Sequence, residues 1–397
     1  MKMIPLSVPC LQGNEWQYVK ECLDTGWVSS AGQFVNRFED DICEFTGARH
    51  AVACVNGTAA LQVGLRIVGV QPEDEVIVPT ITFIAPVNAV KYCGASPVFM
   101  DCDDFYNIDV EKTIQFLRDE THYFDGYCWN RKTGKRISAI VPVHVFGNAV
   151  DMAKLLVECK ERNIKIVEDA TESLGTTYSA GDLSGYHTAT VGDVGCFSFN
   201  GNKIITTGGG GMLVTKNAEL AEHARYLTTQ AKDDPVRYIH HEIGYNFRMT
   251  NVQAAIGVAQ LEQLPDFIVA KNKIYNKYTK MVADIPGLNI APTPEYAHSN
   301  HWMIALQVDE ALYGEDREAL YERLRESRIE TRPLWHPNHL QQPYRKYQQY
   351  KIEKACKLHE ITLNVPCSSA LSEAEVDDVV QALAINSILE NKSAQAL

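Results

Sequence analysis

Between residues 50 and 215, short apolar runs alternate with longer segments of helical pattern. The runs HAVACV, EVIVP, PVFMD, SAIVPV, IKIVED, CFSF and GMLVT are mostly continuous in apolar character, which is typical of strands covered on both faces. The intervening segments TAALQVGLRIVG, IAPVNAVKYCG and AVDMAKLLVECKERN have helical length and end near glycine or asparagine. The alternation predicts an α/β class domain with three α/β/α layers around a mixed, mostly parallel sheet.

The two ends of the chain have a different pattern. NEWQYVKECLDTG and FVNRFEDDICEFTG have the apolar spacing of two amphipathic helices before the central region. After residue 250 helices dominate, and Pro265 predicts a bend between MTNVQAAIGVAQLEQL and DFIVAKNKIYNKYTKMV. The strand HWMIALQV and two further helices, within 315–328 and 372–389, follow. We predict a large domain over residues 1–255, including an N-terminal helical arm, and a smaller α+β domain over residues 256–397.

Composition and charge exclude several classes of protein. The 397 residues carry 37 Lys and Arg against 50 Asp and Glu, a net charge of −13, which disfavours non-specific binding of nucleic acid or anionic membranes. No window approaches the ~20 apolar residues of a membrane span, and the N-terminus lacks a signal-peptide core. The 11 cysteines are scattered without a CxxC pair, which favours a reduced, cytoplasmic compartment.

A glycine-containing turn follows the first predicted strand. The segment NGTAAL at 56–61 places Gly57, Thr58 and Ala59 at the start of a helix. Backbone N–H groups at a helix N-terminus are unpaired and lie at the positive end of the helix dipole, so that they suit a phosphate group. Ordinary N-capping by Asn56 or Thr58 is the competing explanation.

Two later segments carry ionisable residues near strand ends. Asp169 ends IKIVED, at the edge where open α/β sheets bind ligands, although a capping aspartate is the alternative. Ser198 and Lys203 follow the next strand and precede four glycines at 208–211. A lysine at the end of a buried strand becomes a nucleophile when burial lowers its pKa, and the alternative is a surface lysine in a turn. Neither a GxxxxGK[ST] loop nor a GxGxxG turn between strand and helix occurs.

Together these segments match the requirements of pyridoxal 5'-phosphate. Its phosphate requires an anchor, its ring nitrogen requires a carboxylate that keeps it protonated, and its aldehyde requires a lysine amine. A phosphate-type turn, a strand-end aspartate and a lysine before a glycine run supply these in order. The sequence therefore predicts a pyridoxal phosphate enzyme.

Six segments resemble, in order and spacing, those of the DegT/DnrJ/EryC1/StrS family of sugar aminotransferases. They are NGTAALQ, PTITFIAPVNAV, VPVHVFGNAVDM, EDATESLGT, GDVGCFSFNGNKIITTGGGGM and GYNFRMTNVQAAIGVAQLEQL. The resemblance implies the aspartate-aminotransferase fold, fold type I, and a homodimer with shared active sites. It also implies transfer of an amino group from glutamate to a keto sugar carried on a nucleotide.

The resemblance assigns roles to individual positions. Lys203 matches the catalytic lysine, which binds the cofactor covalently and carries a proton once released, and Asp169 matches the partner of the ring nitrogen. Phe83 stands where relatives place an aromatic ring against the cofactor, Glu172 where they commonly carry His or Gln, and Asn246 where a residue reaches the neighbouring subunit's phosphate. The other cofactor-binding positions implied are Gly57, Thr58, Ala59, Ser198 and Asn200. Substrate contacts are implied at Ser29, Arg248, His336 and His339.

Two segments indicate the acceptor sugar. FSFNGNKIITTGGGGM and RPLWHPNHLQQPY, at 332–344, are most similar to the branch acting on UDP-linked 4-keto-6-deoxy-N-acetylhexosamine in bacillosamine and legionaminic acid synthesis. The alternatives are a GDP-perosamine-type enzyme and aminotransferases of dTDP-linked 4-keto or 3-keto sugars.

Three other classes are less compatible with the residues. A cysteine desulfurase typically carries a histidine beside the lysine, where this chain has Asn202 and Ile204. A cofactor-binding regulator would need a basic DNA-binding module, and none is visible in the sequence. The HPNH string lacks a third ligand, so no metal site is predicted.

Overall fold

The strands form one large sheet, one small sheet and a two-stranded ribbon. The computed structural model describes residues 3–234 and 236–394, with side-chain surroundings described as far as residue 384. In chain order the strands are β1 (His50–Cys54), β2 (Glu75–Pro79), β3 (Ser96–Met100), β4 (Thr121–Phe124), β5 (Tyr127–Asn130), β6 (Arg136–Ile140), β7 (Lys165–Asp169), β8 (Thr177–Tyr178), β9 (Val194–Ser198), β10 (Gly211–Thr215), β11 (Leu288–Ile290), β12 (Ala297–His298), β13 (Ile304–Val308), β14 (Arg332–Pro333), β15 (Gln349–Tyr350) and β16 (Thr362–Val365).

Helices cover the sheets and form the N-terminal arm. They are α1 (Glu15–Thr25), α2 (Gln33–Thr46), α3 (Gly57–Ile67), α4 (Ala85–Tyr92), α5 (Val110–Asp119), α6 (Met152–Glu161), α7 (Ala218–Thr228), α8 (Asn251–Leu261), α9 (Leu264–Val282), α10 (Glu310–Tyr313), α11 (Arg317–Glu326), α12 (Lys354–Ile361) and α13 (Glu373–Ala394). The predicted bend is confirmed, because α8 ends before Pro265, which lies in the first turn of α9. No helix within the described ranges has the length and apolar character needed to cross a membrane.

The large sheet confirms the predicted α/β class and its mixed, mostly parallel character. Its order is β1-β10-β9-β7-β6-β2-β3-β15, with β10 antiparallel to both neighbours and the remaining pairs along this path parallel. β2, β3 and β10 are buried along their whole lengths, as continuous apolar runs require. The hairpin of β4 and β5, attached to β6, was not predicted because most of β4 is exposed and lacks an apolar run.

The small sheet has the order β11-β13-β16-β14 and is antiparallel. The predicted division after residue 255 falls inside α8, which packs against α1 and α2, and β15 from the C-terminal half joins the large sheet. We propose that the junction lies at the start of α9, because α9 packs against β11 and α13. Residues 1–2 and 395–397 of the predicted domains lie outside the described residues.

The strand directions gather the candidate residues at one edge. β1, β2, β6, β7 and β9 run the same way, since β10 is antiparallel to both β1 and β9. The segments that follow their carboxyl ends therefore emerge together, at the edge where α/β sheets bind ligands. These segments carry Gly57, Phe83, His144, Glu172 and Lys203.

Candidate active site

The turn at the start of α3 lies against the end of β9. A Cβ atom built on Gly57 would lie 2.8 Å from the Ser198 Cβ atom, so that glycine permits this close approach. Asn56 Oδ1 accepts a hydrogen bond from the Ala59 N–H at 2.8 Å, which shows that Asn56 also caps the helix. The first N–H groups of α3 and the Ser198 hydroxyl thus border one space, as a phosphate site requires.

Two adjacent carboxylates at the end of β7 have different surroundings. Glu168 accepts hydrogen bonds from the N–H groups of Ala189, Val191 and Gly192 and lies 3.0 Å from His144 Nε2. Asp169 is 2% exposed and accepts a bond from the Thr171 N–H at 3.1 Å. Burial raises the pKa of Asp169, and no basic side chain among the described residues forms an ion pair with it. A buried carboxylate without a cationic partner suits the protonated ring nitrogen of pyridoxal phosphate.

The Lys203 amine is enclosed by a carboxylate and an aromatic ring. Its Nζ atom lies 3.7 Å from Glu172 Oε1 and 3.9 Å from the centroid of the Trp302 ring. Burial lowers the pKa of the amine, although the Glu172 and Asp169 carboxylates act in the opposite direction. The side chain is 13% exposed, so the alternative of a surface lysine is wrong, and the amine has the environment of a nucleophile.

Glu172 is the carboxyl group nearest to that amine. Its Oε2 atom accepts a hydrogen bond from the Phe146 N–H at 2.9 Å. Burial raises the pKa of Glu172 to about 7, while Lys203 and the Phe146 N–H lower it in part. This carboxyl group therefore changes its protonation state near neutral pH, directly beside the reacting amine.

Replacing Glu172 with glutamine is expected to make the cofactor-free chain more stable relative to wild type as the pH rises. The folded-state pKa of about 7 exceeds the ordinary value of 4.5, so this group's stabilising contribution is complete below the lower value and is lost above the higher one. Glutamine does not titrate, and the difference between the two proteins should grow by roughly 3 kcal/mol from pH 4.5 to pH 8. Thermal unfolding at several pH values measures it. A difference in stability between Glu172→Gln and wild type that does not change with pH would contradict the raised pKa of Glu172. The same trend in Glu44→Gln, a variant at an exposed position, would also contradict it.

Five other residues of the predicted site have side chains that are exposed to solvent. Phe83 is 55% exposed just after β2. The Asn200 carbonyl accepts a hydrogen bond from the backbone N–H of Lys203 at 3.0 Å. The backbone of Asn246 forms an antiparallel β-bridge with that of Thr229. The residues of this set with exposed side chains are Ser29, Phe83, Asn200, Asn246 and His336. Their ligand contacts stay predictions.

Two predicted substrate residues have polar partners inside the protein. The Arg248 guanidinium is paired with the buried Glu39, which also binds Arg225 at 2.9 Å. His339 is buried, and its Nδ1 atom lies 2.7 Å from the Thr80 hydroxyl. These partners hold both side chains in place inside the protein, and the substrate contacts of Arg248 and His339 stay predictions. Within the described residues, no group of three or more His, Cys, Asp or Glu side chains is arranged to hold a metal ion.

Sequence reasoning missed three residues that contact the lysine or its neighbouring carboxylates. Trp302 contacts Nζ, Phe146 donates to Glu172, and His144 supports the end of β7 by donating its N–H to the Asp169 carbonyl at 3.0 Å. Phe146 has a φ of 59°, which is uncommon for a residue other than glycine. Trp302 is separated from Lys203 by about a hundred residues, so that local spacing carries no signal of their contact.

The residues fit pyridoxal phosphate at each of its three polar points. Gly57 and Ser198 border a space that suits a phosphate, Asp169 forms no ion pair within the described part of the chain, and Lys203 offers a buried amine of lowered pKa. With the three-layer fold, this set is the one that a pyridoxal phosphate-dependent enzyme requires.

Sequence comparison places the chain more narrowly. It belongs to the DegT/DnrJ/EryC1/StrS aminotransferase family, whose profile matches residues 9–384. A GDP-perosamine synthase of Caulobacter vibrioides is 38% identical over 386 residues, which cover 96% of this chain and 97% of the relative. A GDP-perosamine synthase of Escherichia coli O157:H7 is 37% identical, with 95% and 96% covered. The crystal structure of a DegT DnrJ EryC1 StrS aminotransferase from Brucella abortus superposes with a TM-score of 0.84 at 27% identity, with 93% and 94% covered. The chain is thus a sugar aminotransferase.

Proposed function

We propose that the chain transfers the amino group of glutamate to carbon 4 of a GDP-linked 4-keto-6-deoxy sugar. The observation that carries the proposal is the similarity to two GDP-perosamine synthases along almost the whole chain. This acceptor was the alternative in the sequence analysis, and the similarity favours it over the UDP-linked N-acetylhexosamine suggested by short segments.

We assign each step of the reaction to residues of the candidate site. Pyridoxal phosphate, when bound, supplies the electron-withdrawing ring that stabilises negative charge beside the transferred nitrogen. Asp169, a buried carboxylate, would keep the ring nitrogen protonated, and the start of α3 with Ser198 would hold the phosphate. Lys203 Nζ accepts the proton that leaves the α-carbon of glutamate and later delivers one to the sugar carbon. The exposed Phe83 ring would pack against the cofactor ring.

Discrimination among nucleotide-linked acceptors tests this function directly. The purified enzyme with glutamate is offered GDP-, UDP- and dTDP-linked 4-keto-6-deoxy sugars, and the amino sugars are quantified by mass spectrometry. We expect the GDP-linked acceptor to give the highest kcat/KM. A higher value with the UDP-linked N-acetylhexosamine would contradict the proposed acceptor and restore the first sequence-based prediction. The chemical class of the enzyme would be unaffected by that result.

We propose that the enzyme works as a homodimer whose subunits share active sites. Exposed apolar side chains occur both on the N-terminal arm and near Asn246, as expected of a surface covered by a second copy. Trp16 is 78% exposed, Val236 81% and Ile243 83%. The exposed Asn246 side chain would then reach the phosphate site of the other subunit.

Mixing two defective variants is expected to restore activity at limiting pyridoxal phosphate. Asn246→Ala retains Lys203, and Lys203→Ala retains Asn246, so a mixed dimer holds one complete site if Asn246 acts across the interface. Random reassociation should restore about a quarter of the wild-type sites. The control mixes Asn246→Ala with a chain that carries both Lys203→Ala and Asn246→Ala. This mixture should restore no activity, because no subunit supplies Asn246. Equal activity in both mixtures would contradict the shared site.

We also propose a cytoplasmic location. All eleven cysteines are free thiols, and eight of them are buried, as expected of a chain that folds in a reducing compartment.

A further inference from the structure

Trp302 lies against the reacting amine and is held in place through its backbone and its side chain. The ring centroid is 3.9 Å from Lys203 Nζ, and the indole N–H donates to the Asn202 carbonyl at 2.7 Å. The residue is 4% exposed. One side chain thus contacts both the lysine amine and the peptide group that precedes the lysine.

The two groups that flank the amine are tied to each other by Asn300. Asn300 Oδ1 accepts a hydrogen bond from the backbone N–H of Trp302 at 2.9 Å. The Asn300 Nδ2 atom donates a hydrogen bond to the backbone carbonyl of Glu172 at 3.0 Å. The Asn300 amide lies against Gly147, where a Cβ atom would approach within 1.9 Å of Oδ1. Glycine therefore permits the amide to sit between the two segments and to link the backbones of Trp302 and Glu172.

The charged groups around Lys203 and Trp302 are unevenly distributed. Glu172 and Asp169 face the Lys203 amine from the end of β7. Behind the tryptophan, Lys271 Nζ donates to the Trp302 carbonyl at 2.9 Å, and His301 is the adjacent titratable group. Nζ thus lies over the indole ring, 3.9 Å from its centroid, as well as 3.7 Å from Glu172 Oε1. The face of an aromatic ring attracts a cation, and this attraction is strongest when both are shielded from water.

We propose that Trp302 is a positioning residue for Lys203: its indole ring holds Nζ against Glu172 and stabilises the ammonium form whenever the free amine carries a proton. A free lysine amine that accepts and returns protons must be stable in both states. Glu172 and the ring then form the two sides of one cradle, with Asn300 as the link. The inference rests on the role proposed above for Lys203, but its test needs no cofactor and no substrate.

Fluorinated tryptophan separates the electrostatic effect of the ring from its packing. Fluorine weakens the attraction of a ring for a cation with little change in shape, and in the described part of the chain Trp302 is the only tryptophan with a cation over its ring. Full-length, cofactor-free protein is prepared with mono-, di- and trifluorinated tryptophan. The pKa of the Lys203 amine is then measured from the pH dependence of its acetylation, followed by mass spectrometry.

We expect the pKa of the Lys203 amine to fall with each added fluorine, by about one unit in the most substituted protein. Trp302→Leu should give a similar fall, and Trp302→Phe, which keeps a ring face, a smaller one. Trp129→Leu, which removes a distant indole bonded to the Phe124 carbonyl, should leave the pKa unchanged. Thermal unfolding of each protein separates these effects from a loss of folding.

An unchanged or increased pKa across the fluorinated series would overturn the inference, because a purely structural tryptophan predicts no dependence on fluorine. The outcome is independent of the proposed acceptor. A falling pKa in an enzyme that aminates no GDP-linked sugar would leave the inference standing and remove the proposed function. Amination of a GDP-linked sugar by an enzyme whose Lys203 pKa does not respond to fluorine would support the proposed function and remove the inference about Trp302.

Discussion

Lys203→Ala is expected to reduce amino transfer by at least about 10³-fold while the chain stays folded. The substitution removes the amine that anchors the cofactor and also the group that carries the proton between carbon atoms. Folding should survive, because burial disfavours the charged amine and the Glu172 carboxyl left behind, whose pKa burial raises to about 7, can take up a proton.

The experiment compares turnover with glutamate and keto sugar, far-UV circular dichroism and thermal unfolding. Lys216→Ala is the matched control, since this exposed lysine lies 5.0 Å from the Tyr186 ring, away from the described site. Turnover of Lys203→Ala within tenfold of the wild-type rate would mean that another group performs the chemistry, and the assignment of the site would be wrong.

Asp169→Asn is expected to lower kcat by about 10²- to 10³-fold, with pyridoxal phosphate still bound. Asparagine keeps the shape of the side chain but cannot stabilise a positive charge on the ring nitrogen. The buried position makes the effect large, because water cannot take over the role of a carboxylate that is 2% exposed.

Binding and chemistry are measured separately for this variant. Cofactor affinity is obtained by equilibrium dialysis and kcat with saturating cofactor, and Asp182→Asn serves as an exposed control. A kcat within tenfold of wild type would contradict the proposed contact between Asp169 and the ring nitrogen. Loss of folding would show as a lower unfolding temperature.

The sequence predicted those parts of the fold that depend on local pattern. β2, β7 and β10 were visible as apolar runs, and Gly57 and Asp169 as residues next to strand ends. Such residues reach the site because parallel strands end at the same edge. The hairpin of β4 and β5 and the pairing of β15 with β3 depend on contacts distant in sequence, for which the chain shows no periodic pattern.

The sequence did not predict the partners of the site residues where those partners are distant in the chain. Arg248 lies two residues from Asn246, yet its guanidinium pairs with Glu39 from α2. His339 was assigned to the substrate from a local resemblance, whereas Thr80 at the end of β2 binds its ring. Trp302 was noted as part of a strand, but β13 begins only at Ile304. Each outcome depended on which distant segment packs against the residue.

The absorption spectrum of the purified protein, with and without glutamate, tests the central claim most directly. We predict a visible band from lysine-bound pyridoxal phosphate that disappears with glutamate and returns when a GDP-linked 4-keto-6-deoxy sugar is added. A colourless protein that takes up no added pyridoxal phosphate would contradict the assignment of Lys203, Asp169 and the start of α3 as its binding site.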